Sequence, residues 1–290
     1  MPEEIKVIEE EGQRLYDVPD VDKLPSVTTI TSKLDKSEAL KGWAAKITAN
    51  YFIDNIIQRL KEGQLTIKDI EEMEPKVIYK QATAEYRKVQ KTAKDIGTYV
   101  HEAAEAIFRA MLENSPLEIP IDEDIEKPVK AILVWIKDND VTPIAIEQKV
   151  WAILLSGLKF GFAGRLDLVA YVNEKLTTID LKAATGIYND SPLQIAAYDL
   201  GYNNGIERGE REGPHTEGSA ILRLDKETGM PEYREYTRDQ TDDYFNCFSM
   251  LCGFWHMDKH RKENDRLRKQ EQRESEKEEK KKPKKTEDPY

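Results

Sequence analysis

Residues 161–198 constrain the fold more than any other segment, because they combine strand-like alternation with ionisable side chains. Between residues 162 and 171 the apolar or small side chains fall on alternate positions, which predicts that they share one face of a strand. These are Phe162, Gly164, Leu166, Leu168 and Ala170. Arg165 and Asp167 then fall on the opposite face.

A second alternating segment follows directly after a turn at residues 173–174. In residues 176–182, Ile179 and Leu181 are predicted to face one way, whereas Asp180 and Lys182 face the other. Two adjacent strands would therefore bring Asp167, Asp180 and Lys182 onto one surface. Mg²⁺ prefers carboxylate oxygens and water, and a neighbouring lysine can hold or deprotonate an attacking water. The grouping predicts metal-dependent phosphodiester chemistry, although an isolated Asp-x-Lys is common on solvated strands.

The remaining patterns predict an α/β protein with a large helical N-terminal part. Residues 1–24 are predicted to form a short polar strand or loop. Further helices are expected over about 37–60, 67–94, from Gly97 onward, and over 122–138, with Pro143 ending the helical part. The rest alternates strands with helices: strands at 144–155, 162–172, 176–182, 218–224 and 232–236, and helices over 192–206 and from Arg238.

Length and composition favour one domain over residues 1–258. Its helical lobe is expected at about 36–140, and its sheet-containing core at about 141–258. The net charge is −11, from 55 acidic and 44 basic residues, which argues against indiscriminate coating of nucleic acid but is compatible with a local basic channel. Residues 259–290 have mixed charges and are predicted to form a flexible tail that solvates the protein, in preference to binding a partner.

The chain contains two cysteines, Cys247 and Cys252, too few for a disulfide framework or a four-cysteine iron–sulfur cluster. Both are predicted to be buried thiols on a helix. The acidic N-terminus has neither a signal-peptide nor a transit-peptide pattern, and no segment approaches the roughly 20 apolar residues of a membrane span. We therefore expect a cytoplasmic protein without membrane contact.

Five further residues are candidates for the same site. His101 and Glu105 share a helix face, but a zinc-protease motif would require a second histidine in place of Glu105. Glu147 precedes Asp167 by one hairpin, and metal support and a surface position are equally compatible with it. Gln194 lies four residues before Tyr198, so the two side chains project together. Contact with a phosphate or base, and incidental positions on a packed helix, both remain open for that pair.

Several short motifs occur together in a characteristic order: GTYVH at 97–101 with Glu105, GRLD at 164–167, IDLK at 179–182, and QIAAY at 194–198. In this combination the chain resembles the RecB-type exonuclease branch of the PD-(D/E)xK nuclease superfamily. LPSVT at 24–28 and SPLQIAAY at 191–198 are similar to mitochondrial genome maintenance exonuclease and its phage-type relatives. The resemblance extends over about residues 24–200.

The resemblance implies a restriction-endonuclease-like core with a mixed central sheet and flanking helices. It also implies that His101, Asp167, Asp180 and the backbone carbonyl of Leu181 bind Mg²⁺ or Mn²⁺. Lys182 would then orient the attacking water and stabilise negative charge at the phosphate. Some relatives hold an iron–sulfur cluster with four cysteines, which this chain does not have, so no such cluster is expected.

The resemblance further implies that Gln194 and Tyr198 position the DNA strand and that Glu147 supports the site. The N-terminal helices would admit single-stranded ends, where aromatic side chains stack on bases. Ser26 and Thr28 are candidates for phosphate contact, although ordinary hydrogen bonding in a turn is the favoured interpretation. Glu105 is a candidate supporting residue.

The expected function is hydrolysis of DNA from single-stranded or frayed ends by a metal-dependent exonuclease with a 5′-phosphate product. Phage or prokaryotic recombination, repair or replication is the expected setting. A noncatalytic DNA-binding or assembly subunit with the same fold is an alternative, and the presence of Asp167, Asp180 and Lys182 argues against it. An RNA-directed nuclease is a further alternative, because metal chemistry does not distinguish the sugar.

Overall fold

The structure is a computed structural model that describes residues 4–10, 12–34, 37–117, 123–155, 157 and 160–281. It begins with a three-stranded antiparallel sheet: β1 (Lys6–Glu10), β2 (Gln13–Val18) and β3 (Asp22–Pro25). The prediction of one short strand or loop over residues 1–24 was wrong. The two turns use left-handed backbone at Gly12 (φ 73°) and Asp20 (φ 60°), and a short, mostly polar sequence gives little periodicity from which to read them.

The helical part follows β3. It contains α1 (Val27–Thr31), α2 (Ser37–Phe52), which continues through a π-helical segment (Ile53–Gln58) into α3 (Arg59–Lys61), α4 (Ile67–Glu72), α5 (Pro75–Glu113) and α6 (Glu126–Asp138). Helix α5 is continuous for 39 residues, so Gly97 does not begin a new helix. An internal glycine costs a helix about 1 kcal/mol. Buried positions on both sides of Gly97, among them Ala82 and Val100, offset that cost. The predicted start of α6 at residue 122 lies outside the described residues.

The main sheet has five strands in the order β4 (Val141–Leu155), β5 (Phe160–Val172), β6 (Lys175–Lys182), β7 (Gly218–Leu224) and β8 (Pro231–Thr237). In this sheet β6 and β7 pair in parallel, whereas β4–β5, β5–β6 and β7–β8 pair antiparallel, and α7 (Asp190–Glu207) connects β6 to β7. The final helix is α8 (Arg238–Lys281). Pro143 lies inside β4 and does not end the helical part. A proline is tolerated there because β4 is an edge strand, which has unpaired backbone groups.

Helices cover both faces of this sheet. One hydrophobic core lies between the sheet and helices α5 and α6 and contains Phe108, Trp135 and Ile179. The other lies between the sheet and helices α1, α7 and α8 and contains Phe162, Ile195 and Phe248. The expected α/β class with a mixed central sheet and flanking helices is therefore confirmed. No helix among the described residues combines the length and apolar character needed to cross a membrane.

Strand β5 changes face in its middle. Phe162 and Leu166 pack in the core beneath α7, whereas Leu168 and Ala170 pack in the core beneath α5. The prediction that these alternate positions share one face was therefore wrong. The prediction for β6 was correct for its apolar residues, since Ile179 and Leu181 pack in the same core.

The two cysteines differ in their environment. Cys252 is buried in the second core, where burial raises the pKa of its thiol to about 12, but Cys247 is exposed. The prediction that both thiols are buried was wrong for Cys247. A helix places residues five apart on different sides, so the two side chains do not share the buried face.

A buried carboxylate, Asp199 on α7, links three elements of the fold. It accepts hydrogen bonds from Thr178 on β6 (2.9 Å), Thr216 before β7 (2.6 Å) and Arg238 at the start of α8 (2.5 Å). Burial is the main influence on its carboxyl group and raises the pKa of Asp199. Asp199 is therefore expected to contribute to stability by tying the second core together.

Replacing Asp199 with alanine should lower the free energy of unfolding by about 3 kcal/mol, because its donors lose a charged acceptor. Urea unfolding followed by circular dichroism measures this change. Asp243→Ala, an exposed acid on α8, is the matched control and should change stability by less than about 0.5 kcal/mol. Equal unfolding midpoints for the two variants would show that the network does not stabilise the fold.

Candidate metal centre

The candidate site lies where β5 and β6 separate. Their pairing runs from Val172↔Lys175 to Leu168↔Ile179, and Asp167 and Asp180 are the next residues on each strand. Beyond this point β5 continues against β4, while β6 continues against β7. The backbone amide of Leu181 donates a hydrogen bond to Asp167 Oδ2 at 2.7 Å. The side chain of Asp167 thus takes the place of the missing strand pairing and is fixed in orientation.

Glu147 on β4 approaches Asp167 through an unusual backbone conformation. It lies between the pairs Ile146↔Leu168 and Gln148↔Leu166, opposite Asp167, and its φ is 53°. The left-handed region costs a non-glycine residue roughly 1–2 kcal/mol. Its Oε2 contacts Arg165 Nε at 2.5 Å. Burial first, and then the charge of Asp167, raise the pKa of Glu147 to about 7 despite the attraction of Arg165.

His101 reaches the same place from α5. Its Nδ1 lies 3.4 Å from Asp167 Oδ1. One ligand atom from each of His101, Glu147 and Asp167 lies within 4.8 Å of the others. One imidazole and two carboxylates form a donor set that suits Mn²⁺ and, with water, Mg²⁺. The chemistry of these three side chains therefore fits a divalent cation.

Mutual attraction controls the protonation of His101 and Asp167. Burial disfavours the charged form of both groups. The charge of Asp167 nevertheless raises the pKa of His101. In the same way His101, Lys182 and the Leu181 amide outweigh burial and lower the pKa of Asp167. Asp167 is thus held as a carboxylate, the form that binds a metal.

Asp180 and Lys182 form a close pair beside this cluster. Lys182 Nζ lies 2.7 Å from Asp180 Oδ2, and Asp180 is 3% exposed. Burial, reinforced by the charge of Asp167, raises the pKa of Asp180 to about 6 even though Lys182 opposes the shift. Burial disfavours the charged form of Lys182 as well, but Asp180 and Asp167 outweigh it and raise the pKa of the lysine. Lys182 is therefore an ammonium group at neutral pH.

Gln194 on α7 holds the lysine from the other side. Lys182 Nζ donates to Gln194 Oε1 at 3.0 Å. The amide nitrogen of Gln194 donates to Thr31 Oγ1 at 3.1 Å and to Asp190 Oδ2 at 2.9 Å. The sequence interpretation did not include Thr31 or Asp190. The four-residue spacing of Asp190 and Gln194 on a helix was a signal for one of them, whereas Thr31 is distant in sequence and gave none.

Tyr198, one turn after Gln194, is a packed residue in this structure. It is 6% exposed and belongs to the second core. A Cβ atom added to Gly164 would lie 2.4 Å from Tyr198 Cε1, so glycine is required for this close approach. Burial raises the pKa of the Tyr198 phenol well above its usual value. The hydroxyl therefore stays protonated.

The remaining predicted residues have ordinary structural contacts. Ser26 is buried and caps α1, since its Oγ accepts a hydrogen bond from the Thr29 amide at 2.9 Å. Ser26 Oγ also lies 3.0 Å from the hydroxyl of Thr28, which is exposed. Glu105 pairs with Arg109 at 2.6 Å, and its charge contributes to the raised pKa of Glu147.

We expect that Glu147 lowers the stability of the protein, because of its positive φ and its partly buried carboxyl group. Glu147→Gly should raise the free energy of unfolding by about 1–2 kcal/mol without metal, because glycine adopts a positive φ without strain and the buried carboxylate is gone. The same variant should bind Mn²⁺ more weakly, as titration calorimetry would measure. Glu147→Gln, which removes the charge but keeps the backbone strain, is the control and should stabilise less. A Glu147→Gly variant less stable than wild type would contradict this prediction.

Comparison with known proteins identifies no family for this chain. No protein-family model matches it, and no curated protein matches it either.

Proposed function

We propose that this protein is a Mg²⁺- or Mn²⁺-dependent nuclease of the PD-(D/E)xK type, which hydrolyses DNA from single-stranded or frayed ends. The observation that carries the proposal is the convergence of Asp167, Asp180 and Lys182 where β5 and β6 separate, with His101 and Glu147 beside them. Three buried or half-buried carboxylates at one point repel each other, and salt bridges that only stabilise the fold do not call for such a cluster. A bound cation would offset this repulsion, so the cluster favours a cation site.

His101, Glu147 and Asp167 would hold the cation, with Asp180 as an adjacent carboxylate. The resemblance adds Asp180 itself and the Leu181 carbonyl to the set of cation ligands. When bound, the cation supplies Lewis-acid polarisation of a phosphoryl oxygen and lowers the pKa of a water molecule. The protein itself fixes the orientation of the Asp167 carboxylate, which accepts a hydrogen bond from the Leu181 amide.

Lys182 would orient the attacking water and stabilise charge at the phosphate. Its ammonium group has three N–H donors; it donates to Gln194 and is ion-paired with Asp180. This leaves an N–H donor for a water or a phosphate oxygen. Because the neighbouring carboxylates raise its pKa, Lys182 acts as a donor and a positive charge, not as the base that removes the proton.

The resemblance supports DNA as the substrate and recombination, repair or replication as the setting. Gln194 is buried and bonded to Lys182, so its support of strand positioning would act through the lysine. Tyr198 would act by shaping the wall of the site at Gly164.

A substrate panel tests this proposal. End-labelled single-stranded DNA, frayed duplex, blunt duplex and RNA are incubated with the protein in Mg²⁺, Mn²⁺ or EDTA. We expect metal-dependent release of nucleotides from the single strand and the frayed duplex and none in EDTA. Intact substrates in every metal would overturn the enzyme proposal in favour of a noncatalytic DNA-binding subunit. Cleavage confined to RNA would replace DNA as the substrate.

A further inference from the structure

The exposed side of α5 carries a line of positive charge. Its members are Lys76, Lys80, Arg87, Lys91 and Lys94, which we call the α5 cationic stripe. At about 100° per residue, all five lie within roughly 80° of one another around the helix. Each is exposed. Between Lys76 and Lys94 the single acid is Glu85, which falls on another side of the helix, and Asp95 directly follows the stripe.

The stripe leads to the candidate metal centre. His101 lies on the same α5 helix, within the same roughly 80° sector as the five cations. From Lys76 to Lys94 the rise of a helix gives about 27 Å, and His101 follows after about two further turns. The stripe and the centre are thus parts of one rigid element.

The five cations are not neutralised by ion pairs with acids in the part of the protein that the structure describes. Among the residues that the structure describes, none of them forms an ion pair, in contrast to Arg109 farther along α5, which pairs with Glu105. The whole chain carries a net charge of −11. Like charges on successive turns of a helix repel each other and destabilise it. An unpaired cationic line in an acidic protein therefore indicates an anionic partner.

We infer that the α5 cationic stripe binds the phosphates of the nucleic acid strand whose end enters the metal centre. This inference rests on the proposed function and adds to it a minimum substrate length. At about 3.4 Å per stacked nucleotide, 27 Å corresponds to roughly eight nucleotides. Strands long enough to cover the stripe are therefore bound and cut efficiently, whereas strands of three or four nucleotides reach only the metal centre.

A linear polyanion fits this surface better than a membrane does. A helix that binds a lipid surface inserts its apolar face. Part of the apolar face of α5 is covered, since Val100 and Ile107 are buried in the first core and Tyr86 packs against Trp43 of α2. Three large side chains of α5 are exposed, but they lie outside the sector of the stripe: Val77, Tyr79 and Tyr99. The stripe itself therefore offers charge without a large apolar side chain.

Binding by charge variants tests the stripe independently of cleavage. Fluorescence anisotropy with a labelled 20-nucleotide single strand is measured in EDTA, where no hydrolysis occurs. Lys91→Glu should weaken binding about five- to tenfold at low salt. Lys88→Glu is the matched control, because Lys88 is an exposed lysine on α5 that lies outside the stripe. It should change the affinity by less than twofold. Equal effects of the two substitutions would overturn the inference.

Salt dependence and length dependence complete the test. The triple variant Arg87→Gln, Lys91→Gln, Lys94→Gln should reduce the slope of log K against log salt by about 2, at roughly 0.7 per phosphate contact.

Wild type should cleave a 4-nucleotide strand at least about tenfold more slowly than a 20-nucleotide strand in Mg²⁺. Equal cleavage of both strands would overturn the stripe but support the proposed nuclease. If the substitutions in the stripe weaken DNA binding as expected but wild type cleaves no strand, the proposed nuclease activity is overturned and the inference about the stripe is not. The triple variant could also bind anionic vesicles more weakly than wild type does and still bind DNA equally well. That result would assign the stripe to membranes and contradict the inference.

Discussion

Lys182→Ala is expected to reduce the rate of Mg²⁺-dependent DNA hydrolysis by about 10²–10⁴-fold. The lysine is held beside the cluster by two partners, Asp180 and Gln194. Its removal would take away the donor proposed to orient water and the charge proposed to stabilise the phosphate. The proposed cation ligands are left in place, so Mn²⁺ affinity should change little. Initial rates on a labelled single strand and titration calorimetry measure the two effects separately.

Lys175→Ala is the matched control for this variant. Lys175 is at the opposite end of the same strand, β6, and forms only an exposed, long contact with Glu235 at 3.9 Å. Its replacement should leave the rate within about twofold of wild type, because exposed ion pairs contribute little to stability. Loss of activity in both variants would indicate general damage to β6, and normal activity of Lys182→Ala would remove the lysine from the mechanism.

Asp167→Asn should abolish the activity through loss of the cation. Asp167 is the member of the cluster that contacts His101 and also receives the Leu181 amide. Loss of an outer partner of a metal ligand typically costs about 10–100-fold in affinity. Loss of a direct ligand should therefore weaken Mn²⁺ binding by at least that factor. Calorimetric titration of Mn²⁺ into the metal-free protein measures the change.

Asp243→Asn, on the exposed side of α8, is the control and should bind Mn²⁺ like wild type. Asp167→Asn must also retain the wild-type circular dichroism spectrum for the comparison to hold. If its Mn²⁺ affinity equals that of wild type, Asp167 is not a ligand, and the metal centre proposed around it is wrong.

The strands of the main sheet and most of the helices were predictable because their periodicity is local. All five strands of the main sheet were expected near their observed positions, and Asp180 and Lys182 alternate with Ile179 and Leu181 as predicted. The point in β5 at which its apolar side chains switch from one face of the sheet to the other was not predictable. It arises opposite Glu147, whose positive φ is unfavourable for its own residue type and is imposed by the surrounding structure.

Contacts between distant segments limited the prediction of the site. The convergence of His101 with Asp167 depends on how α5 packs on the sheet, and only the motif resemblance suggested it. Thr31 contacts Gln194 across most of the chain, without any local pattern that links the two. The continuity of α5 through Gly97 likewise depends on burial of its apolar face, which helix propensity alone does not include.

The most direct test of the central claim compares wild type with Asp180→Asn on one end-labelled single strand of DNA. Wild type in Mg²⁺ or Mn²⁺ should release nucleotides with a 5′-phosphate, whereas wild type in EDTA and the Asp180→Asn variant in metal should leave the strand intact. Asp180 is buried and paired with Lys182, so its replacement removes the carboxylate that lies beside the proposed cation ligands and holds the lysine. Equal degradation by wild type and variant would contradict the assignment of this site, and an intact strand in every reaction would contradict the proposed enzyme.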